Sequence, residues 1–200
     1  MSAVQAVLFD LGNVLVDVDQ GIFPQSLGFQ NAEEIMYLAQ DLRDWARRYE
    51  TGQFATDIFL AGLQNILGGS YPIRQLRQAF QSIIRDPIPG MEDLVADVSR
   101  LMRTALASNT NEIHHLTSMA VVPALAHLSK HYVSYELKVM KPEPEFYAAI
   151  LRDLDLPPAQ VVFIDDKVEN IAGATAAGMS GVLFTTAPEL RERLRALGVA

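Results

Sequence analysis

Three short apolar runs stop abruptly at polar clusters, and this repeated figure limits the fold more than any other feature of the chain. Ala3-Val4-Gln5-Ala6-Val7-Leu8-Phe9 ends at Asp10 and Gly12, Arg103-Thr104-Ala105-Leu106-Ala107 ends at Ser108-Asn109, and Val161-Val162-Phe163-Ile164 ends at Asp165-Asp166. Runs of this length, mostly apolar and partly β-branched, read as buried strands. Each polar cluster leads into a helix-like segment or a Gly-containing turn, and a fourth run, Val182-Leu183-Phe184, follows the Ala- and Gly-rich stretch 171–181. Strands alternating with helices predict an α/β fold built on a parallel sheet with crossovers. Ligands of such sheets bind outside the carboxyl ends of the strands, so the three clusters should converge there.

The interval between the first two strands has a different pattern. Residues 32–49 place Ile35, Leu38, Ala39, Leu42, Trp45, Ala46 and Tyr49 at helical spacing. Residues 54–67 and 73–85 also read as helices, separated by Gly68-Gly69 and Tyr71-Pro72. The spacing therefore predicts a small helical unit over 17–85, inserted into a sheet unit made of 1–16 and 86–200. Asp86-Pro87-Ile88-Pro89-Gly90 reads as the return hinge, because two prolines and a glycine cannot continue a helix.

Composition narrows the partners. Half of the 200 residues are apolar and one fifth are charged, which suits a packed core. Sixteen Lys and Arg against 24 Asp and Glu give a net charge of −8, which argues against nucleic acid as a partner. The absence of cysteine removes disulfides, zinc–thiolate sites and thiol nucleophiles. No apolar run approaches the ~20 residues that span a bilayer, and the basic-then-apolar layout of a signal peptide is missing. The expectation is a cytoplasmic protein without a membrane partner.

Asp10, Ser108-Asn109, Lys141 in its Pro-bounded segment and Asp165-Asp166 make a coherent chemical set. Carboxylates brought together repel by ~4 kcal/mol per pair at 4 Å with an effective dielectric near 20, so such a cluster is protonated, cation-paired or metal-bound. Magnesium suits it, because that ion takes oxygen ligands, needs only one or two carboxylates and keeps positions for water and a phosphate. The ion and Lys141 would reverse the local field and let an acidic chain accept an anion. Phosphoryl transfer follows from these parts: Asp10 as nucleophile, with the Ser108 hydroxyl, nearby backbone N–H groups and Lys141 holding the phosphate oxygens.

Phe9-Asp10-Leu11-Gly12-Asn13-Val14-Leu15, Ser108-Asn109-Thr110-Asn111, Lys141-Pro142-Glu143-Pro144 and Phe163-Ile164-Asp165-Asp166 together resemble the four ordered motifs of the haloacid dehalogenase superfamily. The segment 17–85 resembles its helical cap. This resemblance implies a Rossmann-like parallel sheet with helices on both faces and a cap inserted after strand one. It implies a magnesium-dependent phosphatase in which Asp10 is the nucleophile and Ser108 and Asn109 bind phosphate. Lys141 would steady both nucleophile and phosphate, and Asp10, Asp165, Asp166 and the Gly12 carbonyl would hold the metal. The substrate would be a small phosphorylated metabolite. The string Phe-Asp-Leu-Gly-Asn-Val followed by Val-Asp-Val-Asp is similar to bacterial α-glucose-1-phosphate phosphatases.

One departure from the family pattern matters. Most phosphatases of the superfamily carry a second Asp two residues after the nucleophile, which protonates the leaving group, and this chain has Gly12 there. A metal-free dehalogenase also lacks that Asp, and so would a catalytically weak member that binds a phosphate ligand or a protein. Asp17 and Asp19 are better explained as polar residues of the hairpin after strand one than as replacements for the acid. Several other features have plain readings beside sharper ones. His127 and His131 have metal-ligand spacing but no third ligand. Trp45 and Tyr49 read as cap core before substrate platform. Lys138 competes with Lys141. Ser108-Asn109 and Asp165-Asp166 are also candidate helix caps. Asn170 is either a plain helix residue or one that orients metal-bound water. Gly173 to Gly178 has Walker-like spacing, but Met179 stands in place of the lysine.

Overall fold

A computed structural model describes residues 3–30 and 38–199. Five strands, β1 (Ala6–Phe9), β4 (Arg103–Ser108), β5 (Lys130–Val133), β6 (Val161–Asp165) and β7 (Ser180–Leu183), form one parallel sheet in the order β5-β4-β1-β6-β7. The period of two along each strand divides the core into two layers. Val7 and Phe9 join Leu106, Val162, Ile164 and Val182 on one face, which is covered by α5 (Met91–Ser99), α10 (Ala187–Ala196) and the 3-10 turn Pro123–His127. Ala6 and Leu8 join Ala105, Ala107, Tyr132 and Phe163 on the other, under α8 (Pro144–Leu154) and α9 (Val168–Ala176). The predicted α/β architecture with helices on both faces is what the chain forms.

Between β1 and β4 the chain leaves the sheet through β2 (Val16–Val18), and it returns through β3 (Ile84–Pro87), paired antiparallel to β2. The predicted helix 73–85 thus ends early, at Gln81, and part of the predicted hinge is a strand. Pro87 is tolerated there because this two-stranded ribbon consists only of edges. Between the two strands lie α1 (Ile22–Ser26), α2 (Ala39–Glu50), α3 (Thr56–Ile66) and α4 (Ile73–Gln81). Their apolar faces build a third core around Phe23, Tyr49, Phe59, Leu63, Leu76 and Phe80. Ile35, part of the predicted helix 32–49, lies outside the described residues.

This helical unit docks on α6 (Glu112–Val121) and α7 (Ser134–Leu137). Ile113 of α6 enters its core. His114 stacks on Phe80 at 4.2 Å and donates from Nε2 to the Phe80 carbonyl at 2.9 Å. Thr56, at the start of α3, donates to Glu112 at the start of α6. Trp45 stacks on Phe54 at 4.3 Å and donates to the Phe59 carbonyl, while Tyr49 stacks on Phe59 at 4.2 Å. Both rings are packing residues of the helical unit, as their spacing suggested.

Candidate active site

The strand register sets the site. Phe9 lies level with Leu106 on one side and Ile164 on the other, so the chain emerges from three adjacent strands at one height. Asp10, Ser108 and Asp165 stand there, all buried. Asp10, Asp165 and Asp166 bring one carboxylate oxygen each within 4.8 Å of one another, and among the described residues they form the metal-binding type of cluster that includes no histidine or cysteine.

Lys141 joins this cluster. Its side chain is 1% exposed, and its ammonium lies 2.7 Å from Asp10 Oδ1 and 2.6 Å from Asp165 Oδ2 and donates to the Ala107 carbonyl at 2.9 Å. Burial alone would push the Lys141 pKa down, but Asp10 and Asp165 outweigh it and hold the value above that of an ordinary lysine. For Asp10, burial pushes the carboxyl up against the pull of Lys141, and Asp165 adds to the push. A cation bound beside Asp10 would favour its ionised form.

Each member of the cluster is held by a neighbour. Asp165 Oδ1 accepts from the Lys167 N–H and from Asn170 Nδ2, both at 2.9 Å. Asn170 is therefore a buried brace on Asp165. Asp166 Oδ2 accepts from Asn13 Nδ2 at 3.1 Å, and Asn13 adopts a left-handed backbone, φ 57°, that turns its amide toward the acid. Asn109 grips the Lys141 backbone in both directions, donating to its carbonyl at 2.9 Å and accepting its N–H at 2.7 Å. The Asn109 side chain thus fixes the lysine segment, and Ser108 presents its hydroxyl at the end of β4.

The capping alternatives resolve differently. Asn111 caps α6 by accepting the His114 N–H at 3.0 Å, and α9 has no side-chain cap. Lys138 donates to the carbonyls of Gly52 and Tyr135, both at 2.8 Å, so it takes no part in the carboxylate cluster. His127 lies in a 3-10 turn and His131 on β5, so no helix carries the pair, and His131 instead faces His115 at 2.8 Å. Asp19 accepts the Gly21 N–H at 2.8 Å in a turn. Gly173 allows close helix packing, since a Cβ there would come 2.7 Å from the Tyr147 ring.

Two carboxylate oxygens show what the cluster suits. Asp10 Oδ1 and Asp166 Oδ1 are buried and make no aligned hydrogen bond, although Lys141 is close to the first. Buried acceptors without donors are costly, and a hard divalent cation satisfies several at once. The residues present therefore fit magnesium. One residue escaped the sequence reading as a site member: Asn13, which carried no signal beyond its place in the first motif.

Comparison with known proteins agrees with this geometry. D-ribitol-5-phosphate phosphatase of Bacteroides thetaiotaomicron is 25% identical over 179 residues, spanning 84% of this chain and 85% of that protein. Flavin mononucleotide hydrolase 1 of Arabidopsis thaliana is 32% identical over 110 residues, 51% of this chain and 44% of that protein. A HAD family enzyme of Bacteroides thetaiotaomicron, solved in complex with magnesium and inorganic phosphate, superposes with a TM-score of 0.80 at 28% identity, over 92% of this chain and 96% of that one. Residues 4–178 match the haloacid dehalogenase-like hydrolase family model, so the chain belongs to the haloacid dehalogenase-like hydrolases.

Proposed function

We propose that the protein is a magnesium-dependent phosphatase that hydrolyses a small phosphomonoester through an aspartyl phosphate on Asp10. The observation that carries this reading is the cluster of buried Asp10 and Asp165 with half-buried Asp166 within 4.8 Å, with Lys141 wedged between the first two and two acceptor oxygens left without aligned donors. Such a cluster disfavours a metal-free dehalogenase, whose carbon-centred displacement gives three packed carboxylates no role. Asp10, Asp166, Asp165 and the Gly12 carbonyl would hold magnesium, which when bound neutralises phosphate charge. Asp10 attacks phosphorus, Lys141 holds Asp10 and a phosphate oxygen in line, and the Ser108 hydroxyl donates to another. Asn109 keeps the Lys141 segment in place.

The helical segment 17–85 acts as the cap, excluding water and contacting the organic group. A sugar or sugar-alcohol phosphate is the substrate class favoured by the ribitol phosphatase relative, which covers most of this chain. Phosphate release is to be measured on a panel of sugar, sugar-alcohol, nucleotide and haloacid substrates, with and without magnesium. Turnover of phosphates only with magnesium, and its loss in Asp10→Asn, is expected. Halide release without metal, or undiminished turnover in Asp10→Asn, would overturn the reading.

A further inference from the structure

Among the described residues, Asp166 is the acid of the cluster that has no cation of its own. Lys141 lies 2.7 Å from Asp10 and 2.6 Å from Asp165, and Asp165 also accepts from the Lys167 N–H and from Asn170. Asp166 is half-buried and ion-paired to no lysine, arginine or histidine among the described residues. It therefore meets the charge of its neighbours uncompensated, and a carboxylate so placed turns toward water unless something holds it. Its donor is Asn13, whose Nδ2 reaches Oδ2 at 3.1 Å. The other oxygen, Oδ1, is buried and makes no hydrogen bond.

We propose that Asn13 is a positioning residue for the metal: by taking Oδ2 of Asp166 it keeps Oδ1 free within the cluster for magnesium, and it ties that carboxylate to the strand by which the chain leaves the sheet. The inference deepens the phosphatase reading above and rests on it for the identity of the metal.

The aim of the Asn13 amide is set by its own turn. The Asn13 N–H donates to the Val16 carbonyl at 2.7 Å, and the Leu11 carbonyl accepts from Val14, Leu15 and Val16 at 3.4, 2.8 and 3.1 Å. Oδ1 of Asn13 accepts the Val18 N–H at 3.3 Å, which assigns the oxygen end of the amide to β2 and leaves the nitrogen end for Asp166. The backbone stands at φ 57°, where glycine costs least and Asn is among the few other residues tolerated. Glycine would make this turn as well. What the side chain adds is its two bonds, to β2 and to Asp166.

Those two bonds make one connection. β2 opens the passage into the helical segment and pairs with β3, which closes it, while Asp166 follows β6. The link joins residues 153 apart in the chain, so the metal carboxylate and the stem of the helical segment share one amide.

Asn13→Gly keeps the left-handed turn and removes both bonds. Magnesium is to be titrated calorimetrically into the metal-free parent, Asn13→Gly, Asp166→Asn and the double variant, with thermal unfolding of each metal-free protein as the check on folding. Removing a group that orients a metal-binding side chain typically weakens binding 10- to 100-fold, and Kd for magnesium in Asn13→Gly is expected to rise by about that factor. Its metal-free Tm should stay within roughly 4 °C of the parent. In the Asp166→Asn background the same change should alter Kd by less than about twofold, because the two residues act as one. Phosphate release at rising magnesium gives a second readout: half-saturation should move up by ~10- to 100-fold, while kcat at saturating magnesium returns to within about threefold of the parent. Unchanged Kd in Asn13→Gly, an equal loss with and without Asp166, a kcat that stays low at saturation, or a metal-free variant that does not fold would each overturn the proposal, since Asn13 would then act on the turn or on the reaction itself. The titration needs no turnover. A parent that binds magnesium but releases no phosphate sinks the phosphatase reading and leaves the Asn13 result standing, whereas a parent that binds no magnesium sinks both.

Discussion

At the scale of single residues, Lys141 and Gly12 bear opposite relations to the carboxylates around them. Among the described residues, Lys141 is the cation placed between Asp10 and Asp165, at 2.7 and 2.6 Å. Replacing it with methionine keeps the bulk and removes the charge, so two buried acids then face each other unpaired. Breaking a buried pair in this way costs about 3–5 kcal/mol of folding stability. Lys141→Met should show that loss in denaturant unfolding together with loss of phosphate release; a stable, active variant would mean that the lysine is not holding the cluster. Gly12 is a missing side chain, and a Cβ at that position would lie 3.2 Å from Val18 Cγ2. An Asp fits if Val18 gives way, so the Gly12→Asp change is best made with Val18→Ala. If the absent acid is what limits turnover of alkyl phosphates, this pair should raise kcat on them by at least about tenfold over Val18→Ala alone, part of the ~10² to 10⁴ range of a general acid. A fall in the steady-state rate would mean that another group already supplies the proton.

At the scale of elements, the seam between α4 and α6 turns on one imidazole. His114 Nε2 donates to the Phe80 carbonyl, and Nδ1 accepts from Asn111 Nδ2 at 3.1 Å, so a second ring proton would set two donors face to face. Burial drives the His114 pKa down from 6.5 to about 4, against the Phe80 hydrogen bond. The unfolded chain binds this proton more readily than the folded one, so stability is complete above pH 6.5 and declines as pH falls toward 4. The fall corresponds to about 3 kcal/mol. His114→Gln keeps donor and acceptor without the titration, and its Tm should fall less between pH 6.5 and 4 than that of the parent; parallel curves would refute the assignment. Nothing in the sequence singled out His114, because its role depends on a contact with Phe80, 34 residues away. Strands β1, β4 and β6 were legible because both faces are buried and their central residues are mostly apolar. Edge strand β5 escaped because it opens with Lys130 and His131, and the ribbon of β2 and β3 because Pro87 and Asp86 look like loop residues. The same contrast runs through the site. Asp10, Asp165, Asp166 and Lys141 stand at strand ends or just before a proline and could be read locally, whereas the Asn109 grip on Lys141 and the Asn13 bond to Asp166 are long-range facts.

At the scale of the whole molecule, a net charge of −8 and a cluster of three acids, two of them buried, would leave a phosphate little reason to enter. The conflict is resolved if metal and anion bind together, the cation first relieving carboxylate repulsion and then attracting phosphate. Binding only to the folded chain stabilises it by about 2.7 kcal/mol at a hundredfold excess over Kd. For a chain of this size that is a Tm rise of roughly 5–11 °C. Inorganic phosphate alone should leave the Tm unchanged, magnesium should raise it, and the two together should raise it beyond their separate effects, because each increases affinity for the other by the same factor. Asp166→Asn supplies the control. It removes one charge from the cluster, so the metal-free protein should melt higher than the parent, while the response to magnesium shrinks and that to phosphate disappears. Calorimetric scans of both proteins under the four conditions decide the matter: a phosphate response without metal, or a magnesium response indifferent to Asp166, would place the anion site somewhere other than the carboxylate cluster.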